Sequence, residues 1–253
     1  MAELADARRS GRRDRKVMRV RVPPAAQKIM KYSGIIFDFN GVILWDSKWQ
    51  DEAWQKTARD LTGREFSEKE MQDVVHGRTN KEALSYLLKK EIIGDELQKL
   101  TEKKEKCYRD IAINKPDFKL SPGAEELFNF LKTNKIPFNI ATSSEKNNVE
   151  FFFKNLLLDR WFDINNIVYD DGKLPSKPAP DIYLKAAEKI ELPPQRCIVI
   201  EDAISGITAA QNAGIGKIIA LNSESKQKKF RAFSGVKRII TKLNQINIKD
   251  FES

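Results

Sequence analysis

Five side chains in this 253-residue sequence stand where chemistry can be done: Asp38 in the apolar run IIFDF, Thr142 at the end of FNIAT, Lys177 in the loop SKPAPD, and Glu201 with Asp202 at the end of CIVIE. Three carboxylates, a hydroxyl and one ammonium gathered at one edge of a sheet make a site for Mg²⁺ and a phosphoryl group. The metal takes hard oxygen ligands, and the lysine neutralises phosphoryl oxygens. Each residue alone has an ordinary structural reading: an Asp before a turn caps it, a Thr at a strand end shapes a turn, a loop Lys is solvated. Their joint appearance, in order, is what points to a site.

The elements that must position them alternate along the chain. Short runs rich in β-branched and aromatic residues predict strands at 35–39, 138–142, 166–170, 197–201, 217–221 and 238–241, each bounded by Gly, Pro, Asn or Asp. Several are apolar throughout, as strands buried on both faces of a parallel sheet are. Helical patterns lie between them. SPGAEELFNFLKTN is expected to start with Ser121 as cap and Pro122 at the first position; PDIYLKAAEKI and AISGITAAQNAG follow later strands. This βα alternation predicts an α/β fold with a doubly wound sheet. From Asp46 to about Lys119 no strand signal interrupts a run of helical segments, two of which open with capping-box spacing, Ser67 with Glu70 and Thr79 with Glu82. A four-helix insertion beside the carboxyl edge of a parallel sheet would cover the place where such folds bind ligands.

Composition narrows the class. The chain is 41% hydrophobic and 32% charged, enough apolar residue for a proper core, with no uncharged stretch near the roughly 18 residues of a membrane span. Two cysteines without CxxC spacing read as reduced thiols of a cytoplasmic protein. The formal charge of +9 belongs mostly to residues 1–33, which hold ten Lys/Arg against three Asp/Glu; the remaining 220 residues carry 35 basic and 33 acidic groups. The near-neutral body argues against a nucleic-acid partner. The Arg-rich leader, 1–32, is compositionally foreign to the rest and is set apart from the fold as disordered or not native.

IIFDFNGVI, IATSS, SKPAPDIYLKAA and VIEDAISGITAAQNAGI resemble the four motifs of the haloacid dehalogenase superfamily, in the branch of β-phosphoglucomutase-like phosphatases with a helical cap after the first motif. The likeness runs from about Gly34 to Leu221. It implies a Rossmann-like core (33–46 and 120–253), a cap (47–119), Mg²⁺ as cofactor, and phosphoryl transfer through an aspartyl-phosphate. Carried over by position, it makes Asp38 the nucleophile. Thr142 would bind phosphoryl oxygens, Lys177 would hold both these and the nucleophile, and Gly41, Ser143 and Ser144 would flank the substrate. Asp38, Glu201, Asp202 and the backbone carbonyl of Asn40 would surround the metal.

The departure is Asn40, where the superfamily's phosphatases and mutases carry a second aspartate as general acid and base. An amide does not give or take a proton at neutral pH, and that assistance is worth about 10²–10⁴-fold. The cap also lacks the histidine that the mutase-like relatives place soon after the first motif; Gln50 and Asp51 stand there. The chain's one histidine, His76, precedes the turn Gly77-Arg78-Thr79. Arg78 is expected to grip a substrate anion, Thr79 to bind substrate or to cap a helix, and His76 to be structural. The expected function is a Mg²⁺-dependent phosphatase of a small phosphometabolite, monomeric or weakly dimeric. The alternatives are a sugar-phosphate mutase and a non-catalytic phosphometabolite-binding protein.

Overall fold

The computed structural model describes residues 30–76, 78–222 and 230–252. Six strands, β1 (Gly34–Phe37), β2 (Phe138–Glu145), β3 (Val168–Asp170), β4 (Cys197–Glu201), β5 (Lys217–Leu221) and β6 (Val236–Ile240), form one sheet in the order β3-β2-β1-β4-β5-β6, with all neighbours parallel. All six expected strands are present, their ends within three residues of the expected ones. Alternate side chains feed two cores. Ile35, Phe37, Ile198 and Ile200 enter one, and Ile36, Cys197 and Val199 the other. Burial on both faces explains why β1 and the middles of β4 and β5 are continuous apolar runs rather than alternating, with charge only at Glu201 and Lys217.

Helices cover both faces, which makes the sheet doubly wound and Rossmann-like. On one side lie α5 (Ala124–Thr133) and α6 (Lys146–Leu156), through Leu127, Phe128, Leu131, Val149 and Phe152. On the other lie α7 (Asp181–Lys189) and α8 (Ile204–Asn212), through Ile182, Tyr183, Ile207 and Ala210. Ser121 is not the cap of α5. That helix begins at Ala124 behind Gly123, whose φ of 87° turns the chain in the left-handed region, and Ser121 Oγ instead donates to the Val42 carbonyl at 2.7 Å. Tyr32, counted with the leader by composition, is buried in the core and its N–H donates to the Phe251 carbonyl. Residues 1–29 of the leader lie outside the described residues.

Between β1 and β2 the chain makes α1 (Ser47–Thr62), a short α2 (Glu68–Glu70) that runs on as a π-helical turn to Val75, α3 (Asn80–Leu88) and α4 (Gly94–Ala112). Both capping boxes form as the spacing predicts, Ser67 with Glu70 and Thr79 with Glu82. The outer part of this insertion has its own apolar cluster: Trp54, Ala58, Phe66, Met71, Val75, Ala83, Leu84 and Leu87. Its inner part does not separate from the sheet's core, because Trp49, Ala53, Tyr108 and Ala112 pack with Phe39 and Phe152. Tyr108 meets Phe152 edge-on with centroids 6.2 Å apart.

Candidate active site

Strand order places the crevice. The chain steps outward from β1 to β2 and β3, then returns to set β4 on the opposite side of β1, so connections diverge between the carboxyl ends of β1 and β4. Asp38 follows β1 directly and its N–H donates to the Ile200 carbonyl at 3.0 Å, which holds it in register beside the end of β4. Glu201 ends β4 and Asp202 follows. One carboxylate oxygen from each of Asp38, Glu201 and Asp202 lies within 4.8 Å of the other two.

Lys177 arrives from the loop between β3 and α7, and its side chain is only 8% exposed. Its Nζ donates to Asp38 Oδ1 at 2.6 Å and to Glu201 Oε1 at 2.7 Å, 4.9 Å from the centre of the Tyr183 ring. Burial alone would lower the lysine's pKa, but the two carboxylates outweigh it and hold the ammonium well above the usual range. Burial pushes the Asp38 carboxyl up to about 7 against the pull of Lys177, with the Glu201 charge adding to the rise.

Glu201 is fully engaged. Oε1 accepts from Lys177 and from the Tyr183 hydroxyl (2.9 Å), and Oε2 accepts the N–H groups of Asp202 and Ala203, both at 2.9 Å. It therefore fixes the lysine and the turn after β4. Asp38, Glu201 and Asp202 together form the acidic cluster that could hold a cation. Hard, clustered oxygens with no thiol or imidazole among them fit Mg²⁺ in chemistry. Gly41, at φ 83°, lies so close to Asp202 that a Cβ there would overlap its carboxylate.

The remaining expected residues divide. Thr142 is buried within β2, where its Oγ1 accepts the Ser144 N–H at 3.1 Å. Ser143 is exposed, whereas Ser144 Oγ donates to Asn40 Oδ1 at 2.7 Å. Asn40 Nδ2 donates to Asp46 Oδ2, also at 2.7 Å. Away from this group, Arg78 is half exposed and pairs with Glu82 at 3.4 Å. Thr79 takes the capping role, accepting from Glu82 N–H and donating to Glu82 Oε2. His76 pairs with Asp51 at 2.8 Å.

Sequence reasoning missed Tyr183, Gly206, Asp46 and Tyr108. Gly206 on α8 approaches Glu201 so closely that no side chain fits there. The Asp46 carboxyl is 1% exposed, and burial raises its pKa against hydrogen bonds from Tyr108, Asn40 and Gln50. Tyr183 lies within the quoted segment SKPAPDIY, so its position was visible although its bond to Glu201 was not.

Comparison with known proteins agrees with this geometry. A model of the haloacid dehalogenase-like hydrolase family matches residues 32–214. The chain is 27% identical over 191 residues to a phosphorylated carbohydrates phosphatase of Thermotoga maritima, covering 73% of this chain and 82% of the relative. It is 28% identical over 186 residues to a β-phosphoglucomutase of Bacillus subtilis, covering 72% and 80%. The crystal structure of a family IA, variant 3 hydrolase from Entamoeba histolytica superposes with a TM-score of 0.82 at 38% identity, over 87% of this chain and 97% of that one.

Proposed function

The chain belongs to the haloacid dehalogenase-like hydrolases, and on that footing we propose that it is a Mg²⁺-dependent phosphatase of a small phosphorylated metabolite, carrying the phosphoryl group on Asp38. The observation that supports this reading is the single buried ammonium of Lys177 shared by Asp38 and Glu201 at the divergence of β1 and β4. A lysine there fixes one Asp38 oxygen and leaves the other to attack. It also offers positive charge to the incoming phosphoryl oxygens.

In the first step an Asp38 oxygen forms a bond to phosphorus as the ester P–O bond breaks, and the leaving oxygen keeps the electron pair. In the second, water attacks phosphorus, the Asp38–phosphorus bond breaks, and inorganic phosphate departs. Asn40 supplies no proton to the leaving oxygen. The chain therefore suits substrates whose leaving group departs without protonation, or that bring their own acid. Thr142 and the backbone around Gly41 and Ser143 border the phosphoryl position. Mg²⁺, held by Asp38, Asp202 and the backbone carbonyl of Asn40, would supply charge to offset the repulsion between carboxylate and phosphate.

The helices from Ser47 to Ala112 serve as the cap that excludes water from the reaction. Among the described residues no helix is long and apolar enough to cross a membrane. Cys107 and Cys197 are both free thiols, as suits a reducing, cytoplasmic setting. The near-neutral body gives no reason to invoke nucleic acid, and we take the protein as a monomer or weak dimer.

Phosphate release from a panel of sugar, acyl and aryl phosphates with Mg²⁺ tests the reading. Turnover that vanishes in Asp38→Ala, with the variant still folded, is expected. Phosphate release that survives Asp38→Ala, or binding of the whole panel without release, overturns it.

A further inference from the structure

Asn40 and Asp46 share one set of hydrogen bonds. Asp46 Oδ2 receives three donors: Tyr108 Oη at 2.6 Å, Asn40 Nδ2 at 2.7 Å and Gln50 Nε2 at 3.1 Å. Asn40 Oδ1 in turn receives Ser144 Oγ at 2.7 Å. The amide is thus read at both ends, its nitrogen by an acceptor and its oxygen by a donor. A carboxylate at position 40 would turn an acceptor toward an acceptor beside Asp46, which is 1% exposed.

The chain of bonds continues into the insertion. Gln50 Oε1 accepts from Lys104 Nζ at 2.7 Å, and Lys104 reaches Glu105 at 3.0 Å. Glu105 accepts from Asn80 at 3.0 Å and from Asn148, on the core helix α6, at 2.7 Å. Lys104 and Glu105 are themselves buried, with side chains 4% and 8% exposed. Two helices of the insertion, α1 and α4, therefore bear on the orientation of a residue two places after the nucleophile.

We infer that Asp46 is a positioning residue of this site, that it and Tyr108 fix which end of the Asn40 amide faces which neighbour, and that residue 40 has to be an amide while residue 46 is a carboxylate. The pairing stands on hydrogen-bond geometry alone; its effect on turnover rests on the phosphatase reading.

A double-mutant cycle tests it: Asn40→Asp, Asp46→Asn and the two together, measured first by thermal unfolding in EDTA without substrate. Each single change is expected to lower Tm by roughly 5–10 °C, and the exchanged pair, which restores donor against acceptor between positions 40 and 46 but sets the new amide nitrogen against the Gln50 donor, to recover part of the summed loss. On the best substrate of the panel the exchanged pair is expected to turn over at least tenfold faster than either single variant. Losses that add in the double variant, or an Asn40→Asp protein as stable as the parent, overturn the inference. Tyr108→Phe removes one oxygen and keeps the ring against Phe152, so it folds even if the others do not. It is expected to lower kcat several-fold with KM unchanged and to cost nothing further in the Asp46→Asn background. An independent, additive loss overturns the positioning role. Because the unfolding cycle needs no substrate, failure of the phosphatase reading leaves it intact and readable.

Discussion

Gly206 stands against the carboxylate of Glu201, with no room for even a methyl group between them. Glu201 is the anchor of the Lys177 ammonium and of the turn carrying Asp202, so the first turn of α8 and the end of β4 are set by the same close approach. Gly206→Ala is expected to cost about 1–3 kcal/mol by overpacking and to reduce phosphate release at least tenfold by shifting Glu201. Urea unfolding together with a rate assay checks it. An alanine variant with parental rate would show that Glu201 moves without consequence.

Removing the lysine strands two buried carboxylates. Lys177→Met is expected to destabilise by about 3–5 kcal/mol, because breaking one side of a buried ion pair leaves an uncompensated charge. Adding Asp38→Asn to it should return a large part of that stability while leaving the protein inactive. Equal stability of Lys177→Met and the parent, by urea unfolding in EDTA, would rule out the structural half of the lysine's role.

Mg²⁺ should stabilise the folded chain by mass action, about 2.7 kcal/mol at a concentration a hundred times its dissociation constant. The shift in Tm between EDTA and excess Mg²⁺ is expected to shrink by more than half in Asp202→Asn and to stay nearly unchanged in Arg78→Ala, whose side chain pairs with Glu82 away from the carboxylates. A full shift in Asp202→Asn would place the ion elsewhere.

Glu145, at the end of β2, is pushed up to about 7 by burial and by the nearby charges of Glu105, Asp170 and Glu102. A carboxyl raised above its unfolded value contributes stability below the unfolded value of about 4.5, and that contribution is lost as pH rises through about 7. Glu145→Gln is therefore expected to match the parent near pH 4.5 and to exceed it at pH 8. Since the group is partly exposed, the gain should be only about 1 kcal/mol after solvent screening. Parallel stability curves for the two proteins from pH 4.5 to 8 would contradict this.

The strands and the motif residues were legible because each is a local signal: a short apolar run, then a carboxylate or hydroxyl at its end. Both capping boxes were legible for the same reason, since Ser67 meets Glu70 and Thr79 meets Glu82 within one helical turn. Ser121 misled because Gly123 turns the chain before the helix starts, and a cap pattern in sequence does not register that φ. Tyr108 to Asp46 spans 62 positions and Lys104 to Gln50 spans 54, so no periodicity connects them. The bond from Ser144 to Asn40 likewise spans 104 positions, beyond the reach of any local pattern.

β1 pairs with nothing near it in the chain: Ile35 lies opposite Phe138 on one side and Ile198 on the other. Closing either ladder means bringing together segments a hundred or more residues apart, the slowest kind of contact for a chain to find. By contrast β4, β5 and β6 follow one another in sequence and in the sheet. The strand that presents Asp38 is accordingly the one whose place is secured by the most distant partners. A partly folded chain that has assembled β4 to β6 has Glu201 and Asp202 but not Asp38 beside them, so the three-carboxylate cluster is complete only once β1 is in place.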